Sequence, residues 1–175
     1  GRSLSPNLAE RIRSIHEEAG ISIIDSVSVE KVTPDGVSTD GGFIGADLVL
    51  CGAGSVPRTQ LAETADLEIN NGIVVNQYLE TRAANIYAIG DAACFLSVSG
   101  ARRRYESVQN ANDQARALAK TLSGELTAYS ALPWFWSDQG TIKLQMAGDS
   151  GNASETVIVE GAQAPQVAAF CFDAQ

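Results

Sequence analysis

Apolar residues recur at helical spacing near the start of the chain, and the pattern predicts an amphipathic helix over residues 6–19. Ser5 stands at the N-cap position, and Gly20 stands where the helix would end. The apolar face of this helix consists of Leu8, Ile12, Ile15 and Ala19. The sequence therefore predicts one helix with both of its ends marked.

Short β-rich runs follow the helix and predict a small sheet. They read ISIID, VSVEKV and VST, with a turn at Pro34-Asp35-Gly36 before the last of them. The next run, DLVLC at residues 47–51, is continuously apolar, which is typical of a strand buried in a parallel sheet. Up to residue 51 the pattern predicts a helix, a small β meander and a returning central strand.

The pattern changes from residue 52 onward. The runs IVVN and IYAI predict two more strands, and residues 106–124 predict a second long helix that Gly124 ends. The predicted apolar stripe of this helix is Val108, Ala111, Ala115, Leu118, Ala119 and Leu122. The later runs WFWSDQ, IKLQMAG, TVIVEG and VAAFCF predict antiparallel strands, with turns at Gly148-Asp149 and near Gly161.

The composition of the chain mainly excludes certain classes of function. The 175 residues carry a formal net charge of −9, which argues against non-specific binding to nucleic acid or to an anionic membrane. No apolar run reaches the roughly 18 residues that span a bilayer. Cys51, Cys94 and Cys171 form no CxxC pair, so we expect neither a metal site nor a dithiol centre, but buried thiols in the cytoplasm. With His16 as the sole histidine, a Ser-His-Asp triad is excluded.

The run NIYAIGDAACF contains the strongest candidate site. In an open α/β sheet, ligands lie outside the carboxyl ends of the strands, and the run IYAI would place Asp91 at such an end. A carboxylate there can accept hydrogen bonds from sugar-like hydroxyls, while Gly90 and Ala92 keep the backbone accessible. The alternative is that Asp91 only caps the next turn.

A second candidate site is glycine-rich. Gly52, Ala53 and Gly54 follow the predicted buried strand, as the first glycines of a dinucleotide site do. Pro57 stands at the third glycine position, so the complete fingerprint is absent. The stretch remains a glycine-rich edge against which a cofactor could lie.

Two further clusters have both a functional and a purely structural interpretation. Trp134, Phe135 and Trp136 could form a flat aromatic wall, or they could be a core cluster at a domain junction. Arg102, Arg103 and Arg104 could form a docking patch for an acidic partner, or an ordinary solvated loop.

Together these stretches resemble the FAD-dependent pyridine nucleotide-disulfide oxidoreductases, specifically the ferredoxin reductase-like branch (ferredoxin, rubredoxin and putidaredoxin reductase type). The family pattern Thr-x-x-x-x-Ile-Tyr-Ala-x-Gly-Asp stands at residues 81–91. RYESVQNANDQA and LPWFWSDQGTIKLQMAG are similar to this branch in particular. Arg58, Asp66 and Asn76 depart from the Asn, Gly and Asp that the family usually has.

The resemblance implies an α/β fold that becomes α+β at the C-terminal end. It predicts the distal part of an NAD(P)-binding domain at 1–51, the distal part of an FAD-binding domain at 52–128, and the beginning of an antiparallel interface domain at 129–175. Both GxGxxG fingerprints are missing, so we expect a fragment with exposed apolar strand edges that could form a homo-oligomer. The missing CxxC argues against a disulfide reductase.

The resemblance also implies roles for the candidate residues. Asp91 would bind the ribityl chain of FAD, the residues after it would approach the pyrophosphate, and the helix that begins near Glu106 would point its N-terminus at the flavin. The segment Trp134–Trp136 would lie beside the isoalloxazine ring and near the partner, and Gly52–Gly54 would border the NAD site. Hydride would pass from NAD(P)H to FAD, and electrons onward to an iron–sulfur protein such as a ferredoxin. The alternative is a non-catalytic scaffold or oligomerising fragment that binds no cofactor.

Overall fold

The computed structural model describes residues 4–97, 100–148, 150, 153–162 and 166–173. The chain divides into two compact units. The first contains the described residues within Gly1–Ser55 and Thr156–Phe170, and the second those within Val56–Glu155 and Cys171–Gln175. None of the helices in these described ranges is long and apolar enough to cross a membrane.

The first unit begins with the predicted helix, α1, at Pro6–Glu18. Gly20 follows the C-cap residue Ala19 with a φ of +86°, in the left-handed region that suits a helix exit. Ser5 occupies the N-cap position, but its side chain makes no capping hydrogen bond, so the prediction of a side-chain cap is wrong. Three strands follow in an antiparallel meander: β1 (Val29–Thr33), β2 (Gly36–Thr39) and β3 (Gly42–Gly45).

Three of the predicted strands do not form. The run ISIID and the run DLVLC have no regular structure, and the side chain of Leu50 is 86% exposed. The run IYAI forms only an isolated bridge between Glu80 and Tyr87. A continuously apolar strand is stable as the middle of a parallel sheet, where neighbours satisfy its backbone on both edges. These runs have no such neighbours among the described residues. Strand β3, in contrast, was not predicted.

The second unit holds the main core. After helix α2 (Gln60–Thr64), strand β4 (Ile73–Val74) pairs in parallel with β5 (Ala93–Leu96), and β5 pairs antiparallel with β6 (Arg102–Arg103). The buried cluster behind this sheet is Val75, Leu79, Ala93, Phe95 and Tyr129. The Phe95 ring packs edge-on against the rings of Tyr129 and Tyr105, at centroid distances of 5.1 and 5.5 Å.

Helix α3 (Val108–Leu122) is the predicted second helix, but it packs with a different face. The buried residues on α3 are Asn110 and Gln114, whereas Val108 and Leu122 of the predicted apolar stripe are mostly exposed. Leu118 does pack on the core cluster. The helix therefore presents a polar pair to the interior, for which the buried hydrogen bonds described below are the reason.

The last four strands agree with the sequence pattern. β7 (Trp134–Gln139) and β8 (Ile142–Ala147) form an antiparallel hairpin, with a two-residue loop in which Gly140 has a φ of +61°. β9 (Ala153–Glu160) pairs with β10 (Val167–Asp173). The turn predicted at Gly148-Asp149 includes Asp149, which lies outside the described residues.

Candidate functional site

Gly90, Asp91 and Ala92 form a single 3₁₀ turn that leads directly into β5. We call it the Asp91 turn. Gly90 is buried with a φ of +69°, a conformation that favours glycine, and Asp91 is exposed. The carboxylate therefore stands on a turn at the start of β5, and not at the carboxyl end of a regular strand as the sequence predicted.

A buried amide network fixes one side of the Asp91 turn to α3. The backbone N–H of Gly90 donates to Oε1 of Gln114 at 2.7 Å. The side chain of Gln114, which is 0% exposed, donates in turn to Oδ1 of Asn110 at 3.2 Å. The Tyr129 hydroxyl donates to the same oxygen at 3.0 Å. Since buried polar groups are stable only when they are paired, this network holds the turn in one position.

Burial perturbs two titrating groups in this unit. Burial raises the pKa of Tyr129 to about 12, and the negative charge of Asp113 adds to the effect. The tyrosine therefore remains a neutral hydrogen-bond donor to Asn110 over the whole physiological range. Burial likewise raises the pKa of the Cys94 thiol. Cys94 is buried as predicted, whereas Cys51 and Cys171 are exposed, so that prediction is wrong for them.

Arg104 fixes the other side of the Asp91 turn. Its Nη1 donates to the backbone oxygen of Asp91 at 3.0 Å and forms an ion pair with Glu106. The Arg104 side chain is only 8% exposed, while Arg102 is exposed and Arg103 is partly exposed. The three arginines therefore do not form one docking patch, because the side chain of Arg104 is engaged with the turn and not with solvent.

The residues of the turn fit a polyhydroxylated ligand such as the ribityl chain of a flavin. Among the described residues, the exposed Asp91 carboxylate has no hydrogen bond or ion pair, so it is available as an acceptor. The Nε of Arg104 is buried without a hydrogen-bond partner in the same part of the chain. Glu106 lies just before α3, whose N-cap is Ser107. The Oγ of Ser107 accepts from the Asn110 N–H at 3.1 Å.

The aromatic segment lies on β7 and is divided between two faces. Trp134 and Trp136 lie side by side, with ring centroids 5.2 Å apart and planes tilted by 31°. Side chains alternate along a strand, so Phe135 lies on the opposite face, where its cross-strand partner is Met146. The three rings therefore do not form the single wall that the sequence suggested.

The glycine-rich edge belongs to the first unit, whereas the Asp91 turn and the tryptophan pair belong to the second. Gly52, Ala53 and Gly54 are exposed in a segment without regular structure, and Gly54 has a φ of +86°. A cavity of about 680 Å³ also lies in the first unit, between α1 and strands β9 and β10, and no predicted site residue lines it.

The role of three residues that hold the candidate site was not predicted from the sequence: Asn110, Gln114 and Arg104. The two amides were detectable, because Asn110, Gln114, Ala117 and Leu118 share one face of α3 at helical spacing. Polar residues in line with core residues indicate buried hydrogen bonding. No sequence signal separated Arg104 from its two arginine neighbours.

Comparison with known proteins identifies the family. Residues 1–115 match the model of the pyridine nucleotide-disulphide oxidoreductases, and residues 134–175 match the reductase C-terminal model. The chain belongs to the pyridine nucleotide-disulphide oxidoreductase family, which confirms the resemblance seen in the sequence. This family is FAD- and NAD(P)H-dependent.

The similar proteins are reductases, as their names state. Rhodocoxin reductase of Rhodococcus erythropolis is 40% identical over 178 residues, covering 98% of this chain and 42% of the relative. Putidaredoxin reductase CamA of Pseudomonas putida is 39% identical, covering 93% of this chain and 40% of the relative. The chain thus spans about two fifths of the length of these relatives.

Solved structures confirm the predicted α/β fold class. A ferredoxin reductase from Rhodopseudomonas palustris superposes with a TM-score of 0.92 at 38% identity, over 99% of this chain and 45% of its own length. The covalent putidaredoxin reductase–putidaredoxin complex gives a TM-score of 0.91 at 34% identity, over 98% and 43%. These likenesses extend over both units of the chain.

Proposed function

We propose that this chain is the flavin-binding and partner-facing part of an FAD-dependent NAD(P)H oxidoreductase. The enzyme would pass hydride from NAD(P)H to FAD and then electrons to an iron–sulfur protein of the ferredoxin type. The observation that carries the proposal is the Asp91 turn, an exposed carboxylate without a partner among the described residues, held from both sides by buried polar groups. Such rigid support is typical of a binding site rather than of a simple turn cap.

Each residue of the site has a defined part in this proposal. Asp91 accepts hydrogen bonds from the ribityl hydroxyls, and Gly90 and Ala92 allow the pyrophosphate to approach the backbone. The N-terminal end of α3, next to Glu106, offers partial positive charge to the ligand. The tryptophan pair provides an aromatic surface for the isoalloxazine ring, from which Phe135 points away. The bound flavin itself supplies the redox chemistry.

The division of the chain follows from the same proposal. Residues 1–51 would belong to the NAD(P)-binding domain, 52–128 to the FAD-binding domain and 129–175 to the interface domain. Gly52–Gly54 would then border the nicotinamide cofactor at the junction of the first two. In support, the chain separates into compact units near this point, between Ser55 and Val56.

The electron acceptor would dock through Arg102, Arg103 and Trp134. Two arginines on the short strand β6 offer positive charge on a chain whose net charge is −9, which suits an acidic partner. The structural relative from the putidaredoxin system is a reductase joined to its electron carrier. We also propose a cytoplasmic location, which the three free thiols support.

The test is a titration of the purified protein with FAD, followed by flavin absorption and fluorescence. We expect binding by the unsubstituted protein and a much higher, still measurable Kd in Asp91→Ala. Asp35→Ala, at an exposed turn in the first unit, is the matched control and should bind normally. A protein that binds no FAD, or binds it equally well as Asp91→Ala, would contradict the proposal.

One observation favours the alternative of a non-catalytic, associating scaffold. Large apolar side chains are exposed in the described part of the chain, among them Leu48, Leu50, Val56 and Leu61. Exposed large apolar side chains are typical of protein–protein interfaces. A protein that stays colourless with FAD but sediments as an oligomer would support this alternative.

A further inference from the structure

We propose that Arg104 is a positioning residue of the flavin site, which holds the Asp91 turn in the geometry that presents its carboxylate to the ligand. The inference rests on the proposed function, because it assigns Arg104 to the same site. It also replaces the docking role that the sequence suggested for this arginine.

The contacts of Arg104 join three separate segments. Nη1 reaches the backbone oxygen of Asp91 at 3.0 Å and also the Glu106 carboxylate ahead of α3. The side-chain methylenes cross the turn at Gly72, where an added Cβ would lie 2.9 Å from Cδ of Arg104 and 2.9 Å from the oxygen of Ala92. Gly72, with a φ of +140°, therefore leaves the space through which the arginine reaches the turn.

The cost of burying Arg104 indicates that its side chain does more than fill space. An arginine side chain that is 8% exposed loses most of its hydration, and the Nε of Arg104 has no hydrogen-bond partner among the described residues. An apolar side chain of similar length would fill the same space without that cost. What only arginine provides is a planar set of donors that can hold a carbonyl and a carboxylate together.

Gln114 and Arg104 act on opposite sides of the same turn. Gln114 accepts from the Gly90 N–H, and Arg104 donates to the Asp91 carbonyl, so the peptide group that enters the turn at Gly90 and the one that follows Asp91 are both fixed. A carboxylate whose backbone is fixed loses less entropy when it binds a ligand. Removal of Arg104 should therefore weaken FAD binding even though the Asp91 side chain remains.

The first measurement is FAD affinity in the purified protein. Arg104→Met keeps the methylene length and removes the donors, and we expect its Kd for FAD to rise about tenfold to a hundredfold. Arg104→Lys keeps the charge but not the planar fork, so its loss should be intermediate. Arg116→Met, at an exposed position on α3, is the matched control and should bind FAD as the unsubstituted protein does.

Two further measurements separate positioning from general stability. Amide hydrogen exchange in the FAD-free protein should become faster at residues 90–92 in Arg104→Met, while the interior of α3 stays protected. In an Asp91→Ala background, Arg104→Met should add less than about threefold to the Kd, because a residue that acts through Asp91 has nothing left to position.

The outcomes distinguish this inference from the proposed function. If the unsubstituted protein binds no FAD, the proposed function fails, and this inference fails with it. If it binds FAD but Arg104→Met and Arg104→Lys bind within about threefold of it, only the role of Arg104 is overturned. An undiminished loss in the Asp91→Ala background would overturn it as well, since that result indicates a purely structural effect.

Discussion

The two units of this chain differ in how far they bury their own apolar residues. The second unit closes a core around Val75, Leu79 and Phe95, reinforced by a buried amide network. Among the described residues of the first unit, only Gly36 and Thr39 are buried. The first unit nevertheless contains apolar runs just as pronounced, such as DLVLC.

The difference shows that an apolar run forms a strand only where a partner is available. In the second unit, β5 finds β4 on one edge and β6 on the other, and α3 returns to cover the sheet. In the first unit, the run at 47–51 has no pairing neighbour among the described residues, so it lacks the hydrogen-bonded ladder that a strand needs. The candidate site lies in the unit that can hold it rigid.

The largest effect should come from the core of the second unit. Leu79 is 1% exposed, so Leu79→Ala should leave a cavity and cost about 3 kcal/mol in the free energy of unfolding. Leu50→Ala, at an 86% exposed position, should change it by less than about 0.5 kcal/mol. Chemical denaturation of both variants measures the contrast. Equal losses would show that the first unit buries Leu50 in solution.

The buried amide network should contribute nearly as much. Gln114→Leu leaves the Gly90 N–H unpaired and removes a donor from Asn110, so we expect a loss of about 2 kcal/mol and weaker FAD binding. Asn112→Leu, at an exposed position on the same helix, is the control and should be nearly neutral. If Gln114→Leu is as stable as the control, the Asp91 turn does not depend on the network.

Alkaline pH should act on the second unit through Tyr129. Because its pKa is raised to about 12 in the folded protein, from a usual value near 10, the unfolded state loses this proton first. The contribution of this group to the free energy of unfolding is fully present below pH 10. It falls by about 2 kcal/mol as the pH rises through about 12. Denaturation from pH 8 to 12 measures it, and Tyr129→Phe should remove this component. An unchanged slope in that variant would assign the loss to other groups.

The smallest expected change in stability is at Asp66, where the family usually has glycine. Asp66 follows α2 with a φ of +56°, the left-handed position where glycine is favoured. Asp66→Gly should relieve this strain but lose an exposed ion pair with Arg82, for a net gain of about 0.5 kcal/mol. Thermal unfolding against Asp66→Ala, which loses the pair without relieving the strain, separates the two contributions. A net loss in Asp66→Gly would mean that the pair dominates.

The sequence pattern correctly predicted the helices, hairpin and helix ends that depend only on residues close together in the sequence. Helix α1, the hairpin of β7 and β8, and the exits at Gly20 and Gly124 follow from periodicity and from glycine at left-handed positions. The family motif also contains Gly90 and Asp91 of the Asp91 turn, whose binding role stays a prediction. Each of these features is fixed within a short stretch of sequence.

Features that depend on distant partners were not predictable in the same way. The strand expected at 47–51 requires neighbours that its own sequence does not specify. The inward side chain of Arg104 depends on the space at Gly72, 32 residues away. The apolar stripe predicted for α3 is not its interior face. The interior face carries amide side chains that form hydrogen bonds with each other and with the Asp91 turn, and the hydrophobic pattern alone does not reveal this.

The most direct test is amide hydrogen exchange with and without FAD, resolved along the chain. We expect FAD to slow exchange at residues 90–92 and at the first turn of α3, and Asp91→Ala to abolish this protection. Protection confined to the first unit, or none at all, would contradict the central claim that the Asp91 turn is the flavin site.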